Sequence, residues 1–358
     1  MENNLITTFR YFLLAIGILI SPPLLVLLYF TPGTPVSLIG AVYLLSYLLV
    51  VIGLICAPWL VGGSRFFVLS GVISAVAAVL FQVMFPQPGS QLNIATMPDQ
   101  SGIRLLNRVL NERDIVLFGA QIGPYFGLIS PSEKESLVSS FSQTYQDMNS
   151  HGATSLSPFL ATYLGQQRTD RFDLVIVEPE SASLPQNGIL FLHGFGGNFT
   201  VQCWLLAKPG HRINAVTVCP STGASGQWWN SEGETILRET LTYLQQRGVA
   251  RIYLAGLSNG AIGASRLADD LKADIAGLIL ISGADPTATM TGLPVLVIHG
   301  EYDERIPVSL MEQYVDAAGE SATYHLFEGD HFLLLKQADR VQAMIADWLG
   351  EQQVDSLK

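Results

Sequence analysis

The sequence predicts an α/β chain: a mostly parallel sheet with helices on both faces, preceded by three transmembrane helices. Two observations carry this. The 358 residues have a net charge of -11, yet residues 1–90 contain only three charged side chains, Glu2, Arg10 and Arg65. The other 29 acidic and 17 basic residues lie in 91–358, which therefore carries a net charge of -12. The second observation is that short β-branched runs alternate with helical stretches from residue 172 onward. A mean hydropathy of +0.35 is thus an average over a membrane part and an acidic, water-soluble part. This excludes a fully soluble enzyme and a disordered chain. An acidic surface without a Lys/Arg run repels phosphate backbones, which excludes nucleic acid as the main partner.

Residues 1–90 read as a membrane anchor with spans at about 5–30, 36–60 and 66–85, each matching the roughly 20 apolar residues that cross a bilayer core. Ser21-Pro22-Pro23 interrupts the first, where hydroxyls or neighbouring helices can take the freed carbonyls. Its apolar core is too long for a cleaved signal peptide, and two further spans follow. Small residues such as Gly53, Gly71 and Ala78 allow close helix packing. No ionisable residue sits well inside a span, so this is an anchor and not a conduction path. Arg10 and Arg65 fall on the same side, which the positive-inside rule makes cytoplasmic, so everything after residue 85 is expected outside the cytoplasm. Cys203 and Cys219 are then either a disulfide or two buried thiols; spacing does not decide.

A turn-rich exit at 86–90 leads into a connector, 91–171, with an expected helix at 132–148. Residues 115–129 are apolar but broken by Gly119, Gly123, Pro124 and Gly127. They either pack on the core or form a membrane-surface or pocket-covering segment. From 172 to 358 the pattern is regular, with strands expected at 172–177, 189–193, 215–219, 252–255, 277–282, 295–299 and 323–327. Helices are expected at 232–247, 260–271, 309–318 and 337–348. No strand is evident before residue 172. Near-continuous apolar strands alternating with helices make a parallel sheet covered on both faces, which binds ligands beyond the carboxyl ends of its strands.

Chemistry is sought at those ends. The strand 252–255 runs into Gly256-Leu257-Ser258-Asn259-Gly260 and then a helix, the G-x-S-x-G elbow in the strand–turn–helix context that it requires. A serine hydroxyl needs a base, and the base needs an orienting carboxylate. His331 follows the last expected strand and Asp303 follows the one before, so Ser258, Asp303 and His331 share one rim in the chain order of this elbow. Glu301, Glu304 and Asp330 rival Asp303 for the carboxylate. An oxyanion would be held by the N–H of Asn259 and by that of Phe195 in His193-Gly194-Phe195-Gly196-Gly197.

Through HGFGG, GLSNG, HGEYDERIP and GDHF, residues 172–350 resemble the alpha/beta-hydrolase superfamily, near its carboxylesterase-like and dienelactone hydrolase-like members. The resemblance implies acyl transfer to water through an acyl-serine, without metal or organic cofactor. Only residues 284–293 separate the strand ending at Ser282 from the next, so no cap domain fits at that point.

Trp228 and Trp229 would lie at the same rim, either as an aromatic wall for substrate or as local packing. His193 and His299 read as turn-shaping residues. The sequon Asn198-Phe199-Thr200 abuts the oxyanion loop and is set aside. The expected function is a membrane-anchored serine hydrolase acting on a small-molecule ester or a lipid. A peptidase, lipase or thioesterase on the same triad, or a non-catalytic receptor or assembly protein, are the alternatives.

Overall fold

A computed structural model describes residues 2–60, 62–85, 91–153, 156–181 and 183–355; the turn-rich exit expected at 86–90 lies outside them. The chain divides into two compact units: Met1–Gln87 with Arg108–Val138, and Pro88–Asn107 with Ser139–Lys358.

The first unit is built on α1 (Glu2–Phe30), α2 (Leu38–Ile55) and α3 (Gly63–Met84). All three are long and apolar enough to cross a membrane. α1 stays helical through Pro22 and Pro23. Pro22 cannot donate to the Ile18 carbonyl, and the Ser21 hydroxyl takes that acceptor at 2.9 Å. Ser37 caps α2 by accepting from Gly40 N–H at 3.1 Å. A side chain at Gly71 would meet the Ser46 carbonyl at 2.6 Å, so glycine is what lets α2 and α3 touch.

After β1 (Leu92–Met97), residues 115–129 fold mainly as α4 (Glu112–Ile122) and a 3-10 turn, Gly123–Phe126. Both cluster with the span helices: Phe118 and Tyr125 lie edge-on to Phe30, at 6.1 and 5.4 Å. α5 (Lys134–Ser150) is the helix expected at 132–148, and α6 (Phe159–Tyr163) is a short helix beyond it.

The second unit is an eight-stranded sheet. Its strands after β1 are β2 (Phe172–Val177), β3 (Asn187–Leu192), β4 (Ala215–Pro220), β5 (Arg251–Leu257), β6 (Gly277–Ile281), β7 (Val295–Gly300) and β8 (Ala322–Phe327). Their order is β1-β2-β4-β3-β5-β6-β7-β8. Among the described strands, β2 alone runs opposite to the other seven. The helices are α7 (Thr200–Gly210), α8 (Ser231–Gln246), α9 (Asn259–Leu271), α10 (Val308–Ala318), α11 (Leu333–Lys336) and α12 (Ala338–Asp355). One sheet face, through Leu190, Leu192, Leu254 and Leu280, packs on α8, α9 and α10. On the other, α7 packs against β2, β3 and β4, and Trp348 of α12 lies edge-on to Tyr253. The seven strands from 172 onward fall where the β-branched and apolar runs predicted them; β2 to β7 are buried almost throughout, and strands buried on both faces must be apolar, whereas β8 at the edge is only part-buried.

In the second unit, two elements of six or more residues escape the sequence pattern. β1 supplies the strand that was missing before residue 172, paired antiparallel with β2 from Leu92↔Val177 to Met97↔Phe172. A buried ion pair secures the segment beyond β1. Arg104 Nε lies 3.0 Å from Asp173, and its Nη atoms donate to the carbonyls of Gln166 and Arg171, both at 2.9 Å. Helix α7 buries nine of its eleven residues and so has no polar stripe to betray its period.

Cys203 on α7 and Cys219 on β4 form a disulfide, with Cα atoms 6.0 Å apart and 16 residues of separation. Of the two states the sequence left open, the bond is the one formed. Closing a loop of this length stabilises a fold by about 3 kcal/mol, so urea unfolding with and without reductant should differ by that amount.

Candidate active site

The site starts from the turn between β5 and α9. Ser258 occupies the N-cap of α9 at φ 53°, ψ -120°, a backbone conformation that a residue with a side chain adopts only under constraint. The constraint is visible. Ser258 N–H donates to the Ile281 carbonyl at 2.9 Å, and its own carbonyl accepts from Ile262 N–H at 3.0 Å. A side chain at Gly256 would meet Gly260 at 2.4 Å, and one at Gly260 would meet the Leu192 carbonyl at 1.9 Å. Both glycines of the motif are therefore demanded by the crossing of α9 over β3 and β5.

Ser258, Asp303 and His331 form one hydrogen-bond chain. His331 Nδ1 donates to Asp303 Oδ2 at 2.7 Å, which assigns the tautomer and leaves Nε2 to accept from the Ser258 hydroxyl at 3.0 Å. Asp303 Oδ1 accepts from the N–H groups of Arg305 and Ile306, at 2.9 and 3.0 Å. Burial pushes the Asp303 carboxyl up, but hydrogen bonding and charge at His331, with the two backbone donors, outweigh it and hold it below the usual carboxylate range. The rivals point elsewhere. Glu301 and Glu304 are exposed, whereas Asp303 is buried. Asp330 pairs with Lys336 and accepts from Phe332 N–H at 2.9 Å.

The loop carrying Phe195 passes directly over the serine. A side chain at Gly194 would lie 2.8 Å from the Leu257 carbonyl and 3.0 Å from Ser258 Cβ, so only glycine allows this approach. Gly196, at φ 104°, donates to the Ala224 carbonyl at 2.8 Å. Phe195 turns its ring to solvent. Asn259 follows Ser258 at the start of α9 and donates from Nδ2 to the Ser225 carbonyl at 2.8 Å. Gly194, which precedes the expected donor Phe195, thus lies against Ser258, and the other expected donor, Asn259, follows that serine directly.

Sequence reasoning missed the support under this loop. Tyr163 of α6 donates its hydroxyl to the Gly196 carbonyl at 3.1 Å, and Phe159 stacks between Tyr163 and Phe199, at 4.4 and 6.0 Å. The available signal was an aromatic pair four residues apart, which shares one helix face.

The tryptophans separate. Trp228 is fully buried between α8 and α9, its Nε1 donating to the His193 carbonyl at 2.9 Å. That corrects the expectation of a substrate wall at this residue: a side chain at Gly263 would collide with the Trp228 Cβ at 2.5 Å, so the indole fills a slot cut for it. Trp229 is half-buried, with the Arg266 guanidinium 4.7 Å above its ring. Asn198 is also buried, its Nδ2 donating to the Cys219 carbonyl at 2.7 Å, which agrees with setting the sequon aside.

His193 and His299 are structural neighbours of the chain of three. His299 Nε2 donates to the Ile306 carbonyl at 3.0 Å and lies 3.8 Å from Asp303 Oδ2, and burial lowers its pKa. His193 donates from Nδ1 to the Gly194 carbonyl at 2.8 Å, and burial lowers its pKa to about 4. Its ordinary value is 6.5, so the unfolded chain takes up this proton first as pH falls. Stability is then lost between about pH 6.5 and 4, by an amount on the order of 3 kcal/mol. Urea unfolding across that window should show a slope that is shallower in His193→Gln, which cannot titrate; His211, His299 and His325, also lowered by burial, supply the remainder.

No family model matches the chain, and no curated protein is similar to it in sequence. Among solved structures, an alpha-beta serine hydrolase homologue from Coxiella burnetii is 20% identical, over 50% of this chain and 92% of that one, with a TM-score of 0.41. Est1E from Butyrivibrio proteoclasticus is 15% identical over 51% and 95%, with a TM-score of 0.43. Mouse alpha/beta hydrolase domain-containing protein 10 is 14% identical over 50% and 95%, with a TM-score of 0.41. The chain's own architecture is more direct: a mostly parallel sheet with one antiparallel strand, helices on both faces, and a strained serine between β5 and α9. With the imidazole and carboxylate following β8 and β7, the second unit has the alpha/beta-hydrolase fold.

Proposed function

We propose that the protein is a membrane-anchored serine hydrolase that cleaves carboxylic esters, with Ser258 as nucleophile, His331 as base and acid, and Asp303 as orienting carboxylate. The observation that carries the reading is the hydrogen-bond chain from Asp303 through His331 to a serine held at positive φ. His331 Nε2 takes the Ser258 proton as the oxygen attacks the ester carbonyl. The N–H groups of Phe195 and Asn259 stabilise the oxyanion, and removing one such donor costs about 10²–10³ in turnover. His331 then protonates the leaving alcohol, and water activated by the same nitrogen releases the acid. Neither step uses a metal or organic cofactor.

The substrate in this reading is a small-molecule ester or a lipid, with half-exposed Trp229 as the aromatic contact. The helices α1 to α3 hold the protein in a bilayer, with the second unit outside the cytoplasm. Arg10 and Arg65 on one side support that orientation, as does a disulfide of the kind that persists in oxidising compartments. A fluorophosphonate probe tests the chemistry: it should label the full chain and fail to label Ser258→Ala. Absence of labelling in the unaltered protein would favour a non-catalytic receptor on the same fold. A panel of ester, thioester and amide substrates then separates esterase from the other hydrolases.

A further inference from the structure

No charged side chain occurs between Asp114 and Glu133. Within the first unit, this uncharged stretch is tied to the ends of the spans. Asp114 accepts the N–H and hydroxyl of Ser37 at the start of α2, and Gln121 donates to the Gly33 carbonyl at 2.8 Å. Just ahead, Tyr43 and Gln82 both donate to the Val109 carbonyl, at 2.9 and 2.6 Å. Val116, Leu117 and Ala120 on α4 are buried. Toward the far end exposure rises: Tyr125 is 70% exposed, Phe126 71% and Leu128 48%, on a turn that closes at Gly127 with φ 66°.

That exposed turn continues the outer surface of α1. Tyr29 lies edge-on to Phe30 at 5.0 Å, and Phe30 lies against Tyr125 at 5.4 Å. Phe30 ends α1 and Leu38 begins α2, so the turn sits at the level where two spans meet the bilayer surface. Tyrosine and other aromatic rings favour that boundary, where one end is apolar and the other wet. α4 is 11 residues long, or about 16 Å at 1.5 Å per residue, too short to cross a core of about 30 Å.

We propose that residues 115–128 form an interfacial membrane anchor, with the Tyr125–Leu128 turn inserted at the headgroup–acyl boundary of the leaflet where α1 ends. The proposal rests on the reading of α1 to α3 as membrane spans. Lipid is the occupant because the surface is uncharged and continuous with that of α1. The insertion adds a fourth point of membrane contact and fixes the rotation of α4 against the span ends.

Nitroxide scanning of the full chain in phosphatidylcholine–phosphatidylglycerol nanodiscs tests this. In a Cys56→Ser background, single labels are placed at Phe126→Cys, at Ile73→Cys on the exposed side of α3, and at Leu184→Cys in an exposed loop of the second unit. At 126, collision with a water-soluble nickel chelate should be several-fold lower than at 184, and collision with oxygen higher, as at 73. A label at 126 that behaves like 184 while 73 stays lipid-like overturns the insertion alone. A water-accessible label at 73 overturns the membrane reading beneath it. Exclusion of both reagents from 126 means that protein covers the turn, and overturns lipid as its occupant.

Discussion

Replacing Ser258 by alanine is expected to lower turnover of an activated ester by about 10⁶-fold, because loss of a triad nucleophile removes the covalent route entirely. The substitution keeps a Cβ at the strained position and removes one hydroxyl. The φ of 53° is imposed by β5, β6 and α9, and the backbone bonds to Ile281 and Ile262 remain. The unfolding free energy should therefore change by no more than about 1 kcal/mol, the worth of one hydrogen bond. Turnover of a p-nitrophenyl ester and a urea titration on the same preparation separate chemistry from folding. Residual activity within tenfold of the unaltered protein, in a stably folded variant, would move the nucleophile elsewhere.

Asp303→Asn is expected to cost on the order of 10⁴ in kcat, with little change in stability of the site's backbone. The Asn amide retains an oxygen for the Arg305 and Ile306 N–H groups. Its nitrogen can be turned toward His331, where it would donate to Nδ1 and force the proton onto Nε2, so that the imidazole no longer accepts from Ser258. Glu301→Gln, Glu304→Gln and Asp330→Asn should leave kcat within a few-fold, since none of those carboxylates reaches the imidazole. A smaller loss at 303 than at any of them would reassign the role. The depressed carboxyl also has a sign to check. A group whose folded pKa lies below its unfolded value contributes stability above the unfolded value and loses it as pH falls through the folded one. Asp303 thus keeps its charge to lower pH than an ordinary aspartate does. Conversion to Asn should flatten the acid limb of the stability curve below about pH 4.

Much of the fold was legible because buried parallel strands advertise themselves. β3 to β7 are apolar on both faces, each bounded by turn residues, and the elbow follows β5 without a gap. β1 was not legible, because a six-residue strand whose partner begins 75 positions later has no local signal of pairing. α7 was missed for the opposite reason: it is buried nearly all round, so its sequence lacks the 3.6-residue alternation that marks a surface helix. Residues 115–129 could be read as core or as surface. Their clustering with α1 and α2 depends on Phe30, Gly33 and Ser37, which are about 80 residues away in sequence.

By itself, the sequence determined the division between a nearly uncharged, apolar N-terminal segment and an acidic remainder, the order of most strands and helices, and the three polar residues at strand ends. Those features arise from local composition, since apolar runs and glycine-bounded turns act over a few residues. The tertiary structure alone decided which carboxylate faces the imidazole, whether two cysteines bond, and that Trp228 fills the core. Each of these depends on distances between segments far apart in the chain. Asp303 is set apart from Glu301 and Glu304 by which way the loop after β7 turns it, and that turn is held by the backbone bonds from Arg305 and Ile306.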